Sequence, residues 1–472
     1  MPNLPALITL IVYAIVLFGI GLCAAQRAKS QEDFLLGARN LGPWVAGLAY
    51  AASSSSAWVL LGFSGFVYAA GPSALWMVPG IIAGYAVVWL WAGPVLQSAS
   101  RDGGQLTLTE FMSEFATGLS ARLIRILASI LIAICFSFYV AGQFQGAGIA
   151  IDDLFATGFG PGVIIGAAII LAYVFLGGFM AVSLTDTLQG LLMAFVAVLL
   201  PLLAFFEAGG VSGISTAMAA APDAFSSPFG DRAGWAALGF VLGLSATGFG
   251  ALGQPHLVAW IMASKDAGAR VKGAIVAMSW ATLVFAGMAV LGLSARAILG
   301  GDAAPEGVFF QLADDLLPGI LAGIVAAATL SAIMSTVDSQ LLVAGGAVSH
   351  DLGLGKALGG REVLVSRLAI IGVCVAAVAL TFLAPASIFN RILFAWVALG
   401  AAFGPVVVAR TLGFKPDGSV VLVAMVSGFG LAVVYELGWI GSGPGAMWKT
   451  IAPWIGALAA MSVTALIGKT RA

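Results

Sequence analysis

The sequence predicts an all-α polytopic membrane protein with about thirteen transmembrane helices. Of its 472 residues, 61% are hydrophobic and only 9% are charged, whereas roughly a quarter of an ordinary soluble domain is charged. A surface of that composition is stable in lipid rather than in water. The formal net charge of −1 indicates no nucleic-acid partner, and we expect none.

The chain divides into apolar stretches on the scale of a bilayer core, which takes about 20 residues per helix. The predicted spans are residues 6–25, 43–68, 74–96, 123–149, 162–178, 185–206, 235–262, 272–294, 316–346, 365–384, 389–411, 419–437 and 448–468. With the N-terminus outside, the outer segments hold only Arg232, Arg296, Arg391 and Lys449, which leaves the other 16 of the 20 Lys and Arg residues inside. Because basic residues favour the cytoplasmic side, the sequence predicts N-outside and C-inside.

Four consecutive serines interrupt the second span, in the stretch AlaAlaSerSerSerSerAlaTrp at residues 51–58. Serine hydroxyls compete with the backbone for hydrogen bonds and so weaken a helix. A loosened backbone at membrane depth is tolerated only where it lines a cavity or is buried in protein. Its freed carbonyl and hydroxyl oxygens suit an alkali cation, and close helix packing by small residues is the alternative.

A second interruption lies five spans later, where three glycines and Pro255 fall within residues 245–256. If the first span is an addition, spans 2–6 and 7–11 form two five-helix halves, and a broken helix opens each half. Paired broken helices point to the binding site of an inverted-repeat transporter. We therefore divide a single transmembrane transporter domain, residues 1–472, into four parts: an extra helix and loop (1–42), repeat one (43–206), repeat two (235–411) and two C-terminal helices (412–472).

Two acidic residues fall at membrane depth. Asp338 lies on the ninth span beside Ser331, Ser335 and Ser339, which share one helical face. A carboxylate there costs several kcal/mol unless a cation, a proton or the water of a vestibule compensates it. Asp186 lies at the start of the predicted sixth span, where it either caps that helix or helps to bind an ion.

These stretches, in this order, resemble the sodium/solute symporter family, and within it the proline-carrying members. The resemblance covers nearly the whole chain and includes residues 33–42, 174–189, 253–256 (GlyGlnProHis) and 330–336 (LeuSerAlaIleMetSerThr). It implies thirteen helices and a five-plus-five inverted-repeat, leucine-transporter-like core in which helices 2 and 7 are discontinuous. This layout agrees with the thirteen spans and the two five-helix halves predicted above from hydropathy and from the two interrupted spans.

The resemblance also implies binding residues. A sodium ion would bind backbone oxygens of Ala52, Ser55 and Ala332 and hydroxyls of Ser335 and Thr336. A second sodium would use Asp186, Asp338 and Ser339, although the proline carriers lack the acid at 338. The substrate would contact Ser54, Ser56, Ala57, Trp58, Tyr139 and Thr247. Ser54 stands where the proline carriers have an aspartate and Thr247 where they have an aromatic residue, so the substrate stays open.

We therefore expect a sodium-coupled symporter that imports a small organic solute, such as proline, by alternating access through a bacterial cytoplasmic membrane. We expect no catalytic residue and no organic cofactor. Another solute, such as a carboxylate or a vitamin-like molecule, is one alternative. A transporter-like sensor that works with a separate kinase is another. A channel would not need paired broken helices, and an intramembrane enzyme would need a nucleophile and base that are not visible.

Overall fold

The computed structural model describes residues 4–25, 31–174, 178–384 and 387–471. These residues fold into helices joined by short connections, and their one strand-like pairing is an isolated bridge between Leu41 and Ser264. The all-α class is confirmed. Apolar helices satisfy their own backbone hydrogen bonds, which is what a chain in lipid requires.

Thirteen helices, α1 to α13, correspond to the predicted spans. They are α1 Leu4–Ala25, α2 residues 43–70, α3 residues 77–101, α4 Gly118–Phe155, α5 Phe159–Val174, α6 Phe179–Glu207, α7 residues 234–262, α8 Ala267–Leu299, α9 Gly319–Gly346 with its extension Ala347–Asp351, α10 Glu362–Leu383, α11 Ile388–Thr411, α12 Gly418–Glu436 and α13 Met447–Arg471. Shorter α-helices in the connections are Gln31–Leu36, Leu108–Ser113, Gly210–Ala220, Asp223–Ser226, Val308–Leu316 and Leu354–Ala357.

Eleven helical stretches of the described chain are long and apolar enough to cross a membrane. One of them, Pro43–Arg101, is 59 residues long and contains both α2 and α3, which are separated by a turn at Gly71 (φ 63°). The apolar α5 is shorter than the others. Counting α2 and α3 separately and adding α5 gives the thirteen predicted spans.

The helices differ in how much of their surface the protein encloses. In the most apolar windows of α9 and α11, 83% and 78% of residues are buried, whereas in α1 and α13 only 17% and 22% are. α9 and α11 therefore lie at the centre, and α1 and α13 lie at the periphery. The polar residues of α9 consequently meet protein rather than lipid.

One end of the molecule is formed by residues 31–42, 97–117, 263–266, 347–361 and 410–417. It is here called the basic face for its seven Lys and Arg residues, although the same segments hold eight Asp and Glu residues. Hydrogen bonds tie its segments together: Arg39 Nε donates to Ser100 Oγ at 2.8 Å, and Arg101 donates to the Ser264 carbonyl oxygen at 2.9 Å. Arg410 pairs with Glu114. These contacts hold the ends of α3, α7 and α11 against one another.

Candidate solute and cation site

α2 is broken at Ser56, where the backbone leaves the helical region with φ 29° and ψ −172°. Gln143 of α4 compensates the break. Its Oε1 accepts from the Ala57 amide at 3.1 Å, and its Nε2 donates to Ser56 Oγ at 3.1 Å. Ser56 and Gln143 are fully buried, so protein satisfies the loosened backbone, as membrane depth demands.

α7 is broken by a tight helical segment, Thr247–Gly253, followed by the extended residue Gln254 (φ −92°, ψ 104°). Pro255 then occupies the first position of the next helix, where its missing amide costs nothing. Trp396 of α11 bridges the gap: its Nε1 donates to the Thr247 carbonyl oxygen at 2.7 Å, and its carbonyl oxygen accepts from Gln254 Nε2 at 3.0 Å. Discontinuities in helices 2 and 7 are thus confirmed.

α2 and α9 contact each other directly at the serine run. Thr336 Oγ1 donates to the Ser53 carbonyl oxygen at 2.9 Å, and Ser53 Oγ donates to the Ser335 carbonyl oxygen at 2.9 Å. The residues expected to bind the first sodium all lie on these two segments and are fully buried: Ala52, Ser55, Ala332, Ser335 and Thr336. Ser55 Oγ has no hydrogen-bond partner among the described residues. Carbonyl and hydroxyl oxygens beside an unwound helix are a ligand set that fits Na⁺.

The two acids at membrane depth are neighbours: the Asp186 carboxyl group on α6 lies next to that of Asp338 on α9. Neither has exposed surface. Asp186 Oδ2 lies 3.0 Å from Ser53 Oγ, which shares its single hydrogen between this oxygen and the Ser335 carbonyl oxygen. Asp338 Oδ1 accepts from the Ser339 amide at 2.6 Å. Asp186 Oδ1 and Asp338 Oδ2 have no hydrogen-bond partner within the described ranges. Two buried carboxyl groups side by side are stabilised by a bound cation or by a proton shared between them, and both alternatives stay open here.

One alternative weighed for these acids is wrong, and a second does not fit this structure. Asp186 does not cap a helix, because α6 begins at Phe179, two turns earlier, with Gly178 before it. The polar residues in this stretch suggested a connection rather than a helix. The Ser183 and Thr187 hydroxyls instead donate to carbonyl oxygens four residues earlier, so they are satisfied inside α6. Asp338 is fully buried, so water in an open vestibule does not solvate it in this structure.

A cavity of about 460 Å³ lies between the two broken helices. Its lining residues come from α2, α3, α7 and α11: Ser54, Trp58, Met77, Ile81, Tyr85, Thr247, Gly248, Phe389, Ile392, Leu393 and Trp396. None of them is charged, and four are aromatic. The lining therefore suits a molecule without net charge that presents an apolar body, together with a few polar groups for the hydroxyls.

Three of the six residues expected to contact substrate line this cavity: Ser54, Trp58 and Thr247. The other three, Ser56, Ala57 and Tyr139, are fully buried behind it. Ser56 Oγ lies 3.5 Å from the Tyr139 hydroxyl. The break at Ser56 and the cavity are therefore adjacent layers of one site.

Several residues of the site were missed from the sequence: Ser53, Tyr85, Gln143, Phe389 and Trp396. Gln143 could have been predicted from the sequence, because an amide side chain within an apolar span needs a polar partner, as an acidic side chain does. Ser53 could not be separated from the three serines after it. Tyr85, Phe389 and Trp396 are aromatic residues of apolar helices, and only packing decides whether such a ring faces lipid or a cavity.

A model of the sodium:solute symporter family matches residues 34–416. The chain is 30% identical over 428 residues to the high-affinity proline transporter PutP of Bacillus subtilis (strain 168), covering 88% of this chain and 89% of that protein. It is also 30% identical over 480 residues to the sodium/proline symporter of Escherichia coli (strain K12), covering 98% and 93%.

Two solved structures share the fold. A Na⁺-coupled sialic acid symporter superposes with a TM-score of 0.82 at 15% identity, covering 98% of both chains. Mhp1, a nucleobase-cation-symport-1 family transporter, superposes with a TM-score of 0.58 at 14% identity, covering 93% of this chain and 95% of that one. The broken helices, the hydroxyl-lined contact between α2 and α9 and the family match over most of the chain lead to one conclusion: this multi-pass membrane protein belongs to the sodium:solute symporter family and is a transporter, not an enzyme.

Proposed function

We propose that this symporter imports a small organic solute without net charge, an amino acid such as proline, together with sodium. One observation carries the proposal: the cavity of about 460 Å³ between the two broken helices, whose lining is uncharged and includes four aromatic residues. A zwitterionic amino acid has no net charge to pair, and helix ends and hydroxyls beside the cavity suit its polar groups. The names of the relatives, proline transporter and sodium/proline symporter, favour proline over the carboxylate or vitamin-like alternatives.

The first sodium would bind between α2 and α9. Backbone oxygens of Ala52, Ser55 and Ala332 and the hydroxyls of Ser335 and Thr336 are its proposed ligands. In support, Thr336 Oγ1 lies 2.9 Å from the Ser53 carbonyl oxygen, so oxygens of the two helices already meet there. The second sodium would bind deeper, at Asp186, Asp338 and Ser339, where two carboxyl oxygens lack a partner.

Coupling follows from this placement. A cation held between α2 and α9 stabilises the arrangement in which the cavity is formed, so sodium tightens solute binding and solute tightens sodium binding by the same factor. Alternating access would then rock the two repeats around the cavity. One sodium moving inward at 100 mV contributes about 2.3 kcal/mol, which is roughly fifty-fold accumulation of solute per ion.

The proposed setting is a bacterial cytoplasmic membrane with the N-terminus outside. The basic face would then be the cytoplasmic face. In support, Arg39, Arg101 and Arg410 lie at that end of the molecule, as the bias of basic residues toward the cytoplasm requires.

The test is uptake into proteoliposomes under an imposed inward sodium gradient, with radiolabelled proline and a panel of other amino acids, carboxylates and vitamins. Proline should accumulate with sodium and not with potassium.

The double variant Ser335→Ala/Thr336→Ala should raise the sodium concentration for half-maximal uptake by about tenfold or more, the equivalent of ~1.4 kcal/mol, because it removes two ligands. An unchanged half-saturation in that variant would remove the first sodium site. Accumulation of a charged carboxylate instead of proline would remove the solute assignment.

A further inference from the structure

α1 lies outside the two predicted repeats, yet it packs against α6 and α9, the two helices that carry the deep acids. Side chains such as Ile8 and Ile15 on its outer side are exposed. Its inward stripe recurs at helical spacing and consists of Ala6, Leu10, Tyr13 and Leu17. This stripe places a phenol hydroxyl at the junction of the three helices.

The Tyr13 hydroxyl forms a hydrogen bond with a serine hydroxyl of α9. Tyr13 Oη lies 2.5 Å from Ser331 Oγ on α9. The single hydroxyl hydrogen of Ser331 is already directed to the Ala327 carbonyl oxygen at 2.7 Å. In the arrangement in which Ser331 gives that hydrogen to Ala327, Tyr13 is the donor to Ser331, since Ser331 has no second hydrogen to give. The lone pairs of the Tyr13 oxygen are left to accept from another group.

The group beside that oxygen is the amide of Gln189. Gln189 lies one turn after Asp186 on α6, so the two share a face. It is fully buried, yet neither Oε1 nor Nε2 completes a hydrogen bond of standard geometry among the described residues. Tyr13 also lies within electrostatic range of Asp186 and Asp338. A buried amide whose oxygen and nitrogen both lack a partner destabilises the protein unless a ligand completes its hydrogen bonds or coordination.

We propose that Gln189 is a ligand of the second cation and that Tyr13 is the residue that positions it, an inference that rests on the proposed second sodium site. In the cation-bound site Gln189 Nε2 would donate to Tyr13 Oη, and Oε1 would be left for the cation that the open oxygens of Asp186 and Asp338 also bind. An amide oxygen is a hard ligand like a carboxylate, and it adds to the coordination without adding negative charge. The additional helix α1 thereby belongs to the cation site.

The experiment counts sodium ions by equilibrium binding of ²²Na⁺ to the purified full-length protein without solute. Wild type should bind two ions. Tyr13→Phe keeps the ring and removes the hydroxyl, so it should weaken the second ion by about five- to tenfold and leave the first unchanged. Gln189→Ala should weaken the second ion at least as much, and Tyr13→Phe should add little in that background because Tyr13 acts through Gln189.

Tyr50→Phe is the matched control, because Tyr50 is buried and its hydroxyl has no partner among the described residues; it should change neither ion. If Tyr13→Phe does not fold, Ser331→Ala removes the acceptor of the same hydroxyl and serves in its place. A wild type that binds one ion would overturn the second site itself. Two ions in wild type with no shift, or an equal shift of both, in Tyr13→Phe would overturn only the role of Tyr13 and α1.

Discussion

Four identical residues, Ser53 to Ser56, have four different environments. Ser53 Oγ connects the Asp186 carboxyl group to the Ser335 carbonyl oxygen. Ser54 lines the solute cavity, and its hydroxyl hydrogen bonds with that of Tyr85. Ser55 Oγ is buried without a partner in the described structure, and Ser56 carries the positive φ of the break. Successive helical residues point about 100° apart, so one polar run faces the cation site, the cavity and the break at once.

Trp58 is the aromatic residue next to that run that faces the cavity. Its ring lies against Phe285 and Phe389, with centroids 5.6 and 6.4 Å away, and its Nε1 donates to the Ser54 carbonyl oxygen at 3.2 Å. The side chain is half-buried, which leaves part of the ring free to contact a solute. Its position makes it a candidate to contact both the solute and the break.

We predict that Trp58→Ala weakens proline binding by roughly tenfold or more, because truncating an aromatic anchor in a desolvated pocket costs on the order of 1–3 kcal/mol. Sodium binding measured without solute should stay near wild type. Isothermal titration of the purified protein with each ligand separates the two effects. Trp44→Ala is the control, since Trp44 is 67% exposed and should leave both affinities unchanged. Equal losses of proline and sodium binding in Trp58→Ala would make Trp58 a packing residue.

At the scale of helices, the broken α7 approaches α3 more closely than ordinary side chains allow. A Cβ atom on Gly80 would overlap the Ser245 carbonyl oxygen, and one on Gly84 would overlap that of Gly248. Gly80 and Gly84 are four residues apart and so form one smooth face. Small residues allow such close backbone contact in membrane helices, and here the contact forms one wall of the solute cavity.

We predict that Gly84→Ala lowers the stability of the folded transporter by about 1–3 kcal/mol, because the added methyl group overpacks the contact between α3 and α7. Thermal unfolding in detergent should show a lower midpoint, and proline uptake should fall with it. Gly430→Ala on α12 is the matched control, because a Cβ there meets no atom within 4 Å. That variant should be neutral or slightly stabilising, since alanine is the better helix former. If the unfolding midpoint of Gly84→Ala equals that of wild type, α3 and α7 move apart to accept the methyl group without loss of stability, and the prediction is wrong.

At the scale of the whole molecule, the basic face is closed by contacts between segments far apart in the chain. His350 Nε2 lies 2.8 Å from Glu110 Oε1, and Glu110 Oε2 accepts from the Leu106 amide at 2.7 Å. A second cavity of about 430 Å³ lies behind this face, with Asp351 and Ala259 in its lining. The contact between Glu110 and His350 therefore holds the end of α9, the helix with the candidate sodium ligands, over that cavity.

The charge on Glu110 sets the pH range of this contact. Burial raises the pKa of Glu110, but the hydrogen bonds from His350 and from the Leu106 amide outweigh it, so the pKa lies below its usual value. A carboxyl group with a lowered pKa stabilises the closed contact above its ordinary pKa, and that stabilisation is lost as the pH falls through the lowered value. Glu110 therefore sets the acid limit of the contact. The hydrogen bond to Glu110 raises the pKa of His350, so the ion-pair part of the contact is complete below the ordinary pKa of histidine and is lost as the pH rises through the raised value.

We predict that Glu110→Gln opens the basic face at neutral pH. In a variant whose three cysteines are replaced by alanine, Ala259→Cys should react several times faster with a maleimide when Glu110→Gln is added. Because maleimide reacts with the thiolate, whose fraction falls about tenfold per pH unit below the cysteine pKa, the two proteins are compared as a ratio of labelling rates at each pH. The ratio of Glu110→Gln to the Glu110 protein should be largest at neutral pH and fall toward one in acid. Glu436→Gln, which removes the ion pair between the end of α12 and Lys449 at the start of α13, is the control. Equal labelling rates at neutral pH in the Glu110 protein and in Glu110→Gln would show that the contact between Glu110 and His350 does not close this face.

The sequence by itself determined the membrane class, the thirteen spans, the breaks in helices 2 and 7 and the two acids at membrane depth. Each of these depends on residues close together in the chain. A bilayer selects for apolar stretches of fixed length, and runs of serine or of glycine with proline weaken the helix in which they occur. The proposed ligands of the first sodium followed from the family resemblance, and the structure places them on two facing segments.

Only the tertiary structure decided how each helix is rotated and what it meets. It placed Asp186 two turns inside α6 rather than at its end, put Ser56 and Tyr139 behind the cavity instead of in its lining, and brought Tyr13 of the peripheral α1 to the deep acids. These features depend on contacts such as that between Ser53 and Ser335, 282 positions apart. Hydropathy along the chain does not encode them, because in lipid an apolar residue is stable on either side of a helix and only packing between helices selects the side.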